Sequence, residues 1–149
     1  MDEITSQLWV TDISGVREQD TSRFDRVITV CQDEVSDNVG CEYEHFDMAD
    51  GPHNTGYGGE FSYDLFASAA DAVHEALEDG ETVLVHCHVG QNRSVSVSAA
   101  ALARFNELSH LEALSRIKDR RPIANPTEQF REHLLQYASE HCPEAQPER

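Results

Sequence analysis

The sequence has almost no lysine. Lys118 stands alone, and every other strong cation is an arginine. Acids are spread along the whole chain rather than gathered in a tail, and the formal net charge is −17. A surface of that sign repels nucleic acid and anionic membranes at ordinary salt, so neither is expected as a partner. Long apolar runs are missing too, and the opening Met1-Asp2-Glu3 is acidic where a signal peptide would be basic. Neither a membrane span nor an export signal is expected. Cysteines are few: Cys31, Cys41, Cys87 and Cys142. Their scatter matches neither a zinc pattern nor a dense disulfide framework, which points to a reducing, cytoplasmic setting. His45, His53, His74, His110, His133 and His141 lack paired ligand spacing. They read as single surface residues, with no metal and no cofactor expected. No repeat or linker interrupts the chain. Its 149 residues read as one domain, 1–149, expected as a monomer with a frayed tail over 142–149.

What is present concentrates between Val83 and Ser94. Val83, Leu84 and Val85 form a short apolar run bounded upstream by Asp79-Gly80, the pattern of a buried strand. Cys87 follows, then five residues including Gly90, then Arg93 and a run of small residues suited to a tightly packed helix. A strand, a short loop and a helix start make an anion site, because loop N–H groups converge and the helix N-terminus adds partial positive charge. Gly90 allows a positive φ there. Arg93 offers a planar fork for two phosphate oxygens. Such a field favours the thiolate of Cys87, the reactive form of sulfur.

Around that unit the pattern predicts strands at Gln7–Thr11, Phe24–Cys31 and, more weakly, Cys41–Phe46. A short helix fits within Asp12–Asp20. Trp9 reads as a core or rim aromatic. Asp47–Gly59, rich in glycine and carrying Pro52, reads as a long functional loop. Helices are expected at Ser62–Asp79, stopped by Gly80, and at Ser94–Phe105, the latter central and buried. Ser109 and Glu112 form a capping box for a third. Asn125 as cap and Pro126 in the first turn open the last. Strands alternating with helices, then helices alone, suit an α/β sheet flanked by helices. The loop after Val83–His86 lies where such sheets place their ligands.

His86-Cys87-His88-Val89-Gly90-Gln91-Asn92-Arg93-Ser94 resembles the His-Cys-x-x-Gly-x-x-Arg-Ser/Thr signature of cysteine-based protein phosphatases. The short chain and its flanks are similar to the dual-specificity branch. The likeness spans nearly the whole chain and includes the Pro126, Phe130 and Leu134 pattern. It implies a protein-tyrosine-phosphatase-like fold with a central, mostly parallel sheet of four to five strands. One departure is Thr127, where relatives often carry Asn; a weaker brace on the catalytic loop is the expected consequence. The acidic, lysine-poor composition resembles that of proteins from extreme halophiles, in which salt screens self-repulsion.

The resemblance implies hydrolysis of phosphotyrosine, and of phosphoserine or phosphothreonine, on a phosphorylated protein through a cysteinyl-phosphate intermediate. Cys87 is the candidate nucleophile and Arg93 the transition-state clamp. The N–H groups of His88, Val89, Gly90, Gln91, Asn92 and Arg93 are candidate phosphate binders. Asp50 is the candidate general acid and Asp47 its rival. Ser94 is read as donor to the sulfur or as a plain helix cap. His86 is read as orienting Cys87 rather than acting as a base, and His88 as an exposed residue bearing on substrate choice. Cys31 is a buried core residue or a disulfide partner for Cys87. The alternatives are the same chemistry on a phosphoinositide, nucleotide or RNA 5′ phosphate, and a silent phosphate-binding module. The Arg120-Arg121 pair, the only local cationic pair, reads as a solvated helix end. Tyr57 is expected at the pocket mouth.

Overall fold

In the computed structural model, which describes residues 1–147, five strands and five helices follow one another. They are β1 Asp2–Glu3, β2 Leu8–Thr11, α1 Ile13–Glu18, β3 Arg26–Thr29, β4 Glu42–His45, α2 Tyr63–Glu78, β5 Val83–His86, α3 Arg93–Asn106, α4 His110–Arg120 and α5 Glu128–His141. The sheet runs β1-β2-β5-β3-β4. Only β1 is antiparallel to its neighbour. The apolar run at 83–86 therefore sits in the middle. Thr11 and Thr29 both pair with His86, so three strands end level at one edge.

Alternation along each strand divides the core in two. Val83 and Val85 face the cluster formed with α2–α5, while Leu84 packs on the other face with Ile13, Val16, Phe24 and Val27. The sheet is thus covered by four long helices on one side and by short α1 with its flanking loops on the other. Helix α3 is buried from Arg93 to Ala103. Its alanines and serines let α2, α4 and α5 approach closely. Ser62 caps α2 by accepting the Leu65 N–H at 3.1 Å, and Ser109 caps α4 by accepting the Glu112 N–H at 3.0 Å. Among the described residues no helix is long and apolar enough to cross a membrane.

Several local expectations are corrected. The last helix is capped by Thr127, whose side chain accepts the Phe130 N–H, and not by Asn125, whose side-chain oxygen faces Arg131 at 3.4 Å instead. The Asp47–Gly59 loop contains one 3₁₀ turn, Thr55–Tyr57. Its neck is closed by Ala49 N–H to Glu60 O, 2.9 Å, and Glu60 N–H to Asp47 O, 2.8 Å. His74 is buried, and His133 stacks on Phe61 among Phe66 and Phe130, so neither is a surface residue. The expected frayed tail is also overturned as far as Gln146. A 3₁₀ turn forms at Pro143–Ala145, and the Gln146 amide donates to Leu108 O and Cys142 O and accepts the His110 N–H. Residues 148–149 of that expected tail lie outside the described residues.

Replacing Gln146 by Ala removes these partly buried bonds and is expected to lower stability by about 1–2 kcal/mol in urea denaturation. Wild-type stability in that variant would show that the tail adds nothing.

Candidate active site

Strand β5 delivers His86, and the chain then turns through residues 87–92 into α3. Planar trans peptides fix the geometry: where a carbonyl points out of the ring, the following N–H points in. Each carbonyl from Cys87 to Gln91 is held from outside. His86 Nδ1 bonds Cys87 O at 3.1 Å. Ile13 N–H donates to His88 O at 3.0 Å, and Asn125 N–H to Gln91 O at 2.9 Å. Arg121 donates to Gly90 O at 2.6 Å and Val89 O at 3.3 Å. The N–H edges from His88 to Asn92 are thereby turned inward, toward an anion. Gly90 takes φ 75° at the tightest point, where a Cβ would lie 2.8 Å from Thr11 O and 2.4 Å from an Arg121 nitrogen.

The Cys87 sulfur lies within this ring and is almost wholly buried. Gly90 N–H points at it from 3.2 Å, and the Ser94 hydroxyl lies at 3.1 Å. Both suit a sulfur anion as acceptor. Behind it, His86 is fully buried, and burial lowers its pKa to about 4, so the ring is neutral. A neutral ring has one N–H, and the Cys87 carbonyl can only accept, so Nδ1 carries the proton. Nε2 then accepts from the Thr29 hydroxyl at 2.6 Å. Thr29 accepts from Tyr43 at 2.9 Å, and Tyr43 accepts the Val35 N–H at 3.1 Å. This relay fixes the His86 ring through both of its nitrogens.

Arg93 is buried at the start of α3. Its Nη1 donates to Gln32 Oε1 at 2.5 Å and to Met48 O at 2.8 Å. Its Nε is buried without a hydrogen-bond partner among the described residues. Asp50 Oδ1 stands 3.3 Å from that Nε, in ion-pair range but out of line for a hydrogen bond. Asp50 is held instead by Asn92 Nδ2 at 2.9 Å. Asn92 Oδ1 in turn accepts the Thr127 N–H at 2.9 Å. The brace at the departure Thr127 is made by the backbone, with its hydroxyl 3.5 Å from the same oxygen. Asp47 is exposed and joins the site only through its backbone.

Above Arg93 opens a cavity of about 410 Å³, lined among others by Gln32, Asp33, Asp50, Tyr57 and His88. His88 Nδ1 lies 3.2 Å from Asp33 at the rim. Tyr57 is strongly exposed there. All four cysteines are free. Burial pushes the Cys31 thiol up to about 11, which keeps it protonated and unreactive. No group of three or more His, Cys, Asp or Glu side chains among the described residues is arranged to hold a metal.

The sequence reading missed Gln32, the Asn92 side chain and Arg121. Arg121 is no solvated helix end: it is buried, with Nη1 on Asp2 at 2.8 Å. Gln32 had a signal, since it follows the strand beside β5 at the ligand edge of the sheet.

Residues 10–140 match the family described as "Dual specificity phosphatase, catalytic domain". Dual specificity protein phosphatase 1 of Arabidopsis thaliana is 38% identical over 65 residues, 44% of this chain and 33% of its own. Dual specificity protein phosphatase 21 of Homo sapiens is 40% identical over 76 residues, 50% of this chain and 40% of its own. The matched segments therefore span no more than two-fifths of these relatives. A mouse putative dual specificity phosphatase, solved with zinc tungstate, matches with TM-score 0.80 at 21% identity, over 99% of this chain and 92% of that one. Human DUSP28 matches with TM-score 0.79 at 20% identity, over 94% and 96%. At such identities the structural likeness speaks for the fold.

Two predictions arise from the loop's supports. An unfolded histidine titrates near 6.5, so between pH ~6.5 and 4 the unfolded state binds a proton that folded His86 refuses. Stability from this group is complete above that window and is lost as pH falls through it. Relative to His86→Gln, the wild type is expected to lose on the order of 3 kcal/mol between pH ~6.5 and 4 in urea denaturation, and a constant difference would refute the assignment. Arg121→Met keeps the stem but frees the Val89 and Gly90 carbonyls. It is expected to weaken inorganic phosphate binding about tenfold by calorimetry, and unchanged affinity would show that the loop holds itself.

Proposed function

The chain belongs to the dual specificity phosphatase catalytic-domain family, and from that membership we propose that it hydrolyses phosphomonoesters on protein side chains. Phosphotyrosine is the first substrate, with phosphoserine and phosphothreonine beside it. The observation that carries this reading is the Cys87 sulfur held by Gly90 N–H and Ser94, beside an Arg93 whose buried Nε makes no hydrogen bond among the described residues.

In the first step the Cys87 thiolate attacks phosphorus in line and the ester P–O bond breaks. Asp50, as the neutral acid, gives its proton to the departing oxygen. Arg93 and the inward N–H groups take the equatorial oxygens, where charge gathers in the transition state. In the second step Asp50, now a carboxylate, removes a proton from water as the water attacks phosphorus. The P–S bond breaks, and the Ser94 hydroxyl supports the sulfur as it leaves. His86 orients the loop and takes no proton.

The pocket rim favours protein substrates over polyphosphorylated small molecules or RNA ends. Asp33 and Asp50 stand at the mouth, and Arg121, one of the two cations of the local pair, is turned inward to Asp2 and the loop carbonyls. Arg120 Nε is bonded to Glu3 O. A substrate with several phosphates meets acids there rather than a basic rim. The same acidity supports work at high salt, where screening is strongest.

The test is a panel of phosphotyrosine and phosphothreonine peptides and an inositol phosphate, assayed at high salt. Peptide turnover that disappears in Cys87→Ser is expected. Asp50→Asn is expected to cut turnover ~10²–10⁴-fold on a poor leaving group, with Asp47→Asn near wild type. Turnover that survives Cys87→Ser, or a preference for the inositol phosphate, contradicts the proposal.

A further inference from the structure

Among the described residues, Gln32 is the one side chain hydrogen-bonded both to the arginine of the anion site and to the far limb of the loop that carries Asp50. Its Oε1 accepts from Arg93 Nη1 at 2.5 Å, and its Nε2 donates to Gly58 O at 3.1 Å. The near limb of the same loop is held by the same nitrogen of Arg93, through Met48 O at 2.8 Å. The two limbs meet at the neck formed by Ala49, Asp47 and Glu60. Gly59 marks how closely Gln32 is packed there: with φ 85°, a Cβ at that position would lie 3.1 Å from Gln32 Cγ and 2.9 Å from Ala49 N.

A guanidinium carries five N–H groups, and two of them sit on Nη1. Here both have protein acceptors, Gln32 and Met48. The edge formed by Nε and Nη2 makes no hydrogen bond among the described residues, with Asp50 Oδ1 standing 3.3 Å from Nε, and is the edge a phosphate can take. A planar fork presents two N–H groups to phosphate most effectively when its roll about the Cδ–Nε axis is restrained. Gln32 and Met48 O together restrain it at Nη1, and Gln32 also reaches the far limb of the Asp50 loop at Gly58.

We infer that Gln32 is a positioning residue which locks the Arg93 fork toward phosphate and ties the Asp50 loop to it. The inference rests on the phosphatase reading above. A displaced loop leaves Cys87 and the anion ring intact but carries the acid away from the leaving oxygen. The loss therefore falls on esters whose leaving group needs a proton. An ester with a good leaving group departs without one.

The variants are Gln32→Met, which keeps the length and loses both bonds, and Gln32→Glu, which keeps an oxygen for Arg93 and loses the donor to Gly58. Each is measured on 4-nitrophenyl phosphate and on phenyl phosphate, with kcat and KM separated and Cys87→Ser as the blank. Both variants are expected to lose roughly 10–100-fold in kcat on phenyl phosphate, part of the whole contribution of a general acid. On the nitrophenyl ester Gln32→Glu, which keeps the Arg93 contact, is expected to lose at most about threefold. Gln32→Met, which frees the Arg93 fork, is expected to lose more than that but less than on phenyl phosphate. Gln32→Met is also expected to raise the inhibition constant for inorganic phosphate. Equal losses on the two esters in either variant, or no loss in either, overturn the inference. Wild-type protein that turns over neither ester, or a Cys87→Ser blank that turns over both, overturns the phosphatase reading and this inference with it.

Discussion

Everything at the site depends on which way five peptide groups face. The carbonyls of residues 87–91 are all engaged from outside, by a neutral imidazole, two backbone amides and one buried guanidinium. Because a peptide unit is rigid, the opposite edges must face the interior. The ring is thus a field of oriented dipoles around one sulfur, made before any ligand arrives. Such preorganisation is what makes charge stabilisation effective in a transition state, since little is spent on reorienting it.

Those supports come from distant parts of the chain. Arg121 reaches from the end of α4 and is pinned by Asp2 of β1. Ile13 opens α1, and Asn125 precedes α5. The fold works as a frame that brings four segments to the end of β5. Net charge makes this frame necessary. A surface at −17 repels a phosphate dianion at long range, so attraction has to be local and short in reach. One buried arginine and a ring of amides supply it where added surface lysines would not.

The central unit was legible in the sequence because its signals are local. An apolar run, a glycine at a positive φ, and small residues in the following helix each follow from neighbouring residues alone. The capping box at Ser109 and Glu112 was legible for the same reason. Thr127 in place of Asn125 and the held tail at Gln146 depend on partners far along the chain, and the two-residue strand β1 is too short to show a pattern of its own. Arg121 looks like a solvated helix end because nothing nearby in sequence says that its side chain meets the Val89 and Gly90 carbonyls and Asp2. Asn92 was read for its backbone only, whereas its side chain joins Asp50 to Thr127. Asp50 was favoured over Asp47 by its distance past β4. The structure places Asp50 beside Arg93 and leaves Asp47 exposed.

The account stands on sulfur as the atom that receives the phosphoryl group. The most direct measurement is rapid acid quench of the protein during turnover of a phosphotyrosine peptide, followed by peptide mass spectrometry. The peptide containing Cys87 is expected to carry the mass of one phosphoryl group, and to accumulate more of it when Ser94 is replaced by Ala. A phosphoryl group found on a histidine or serine instead, or turnover with Cys87 unmodified throughout, would contradict the account.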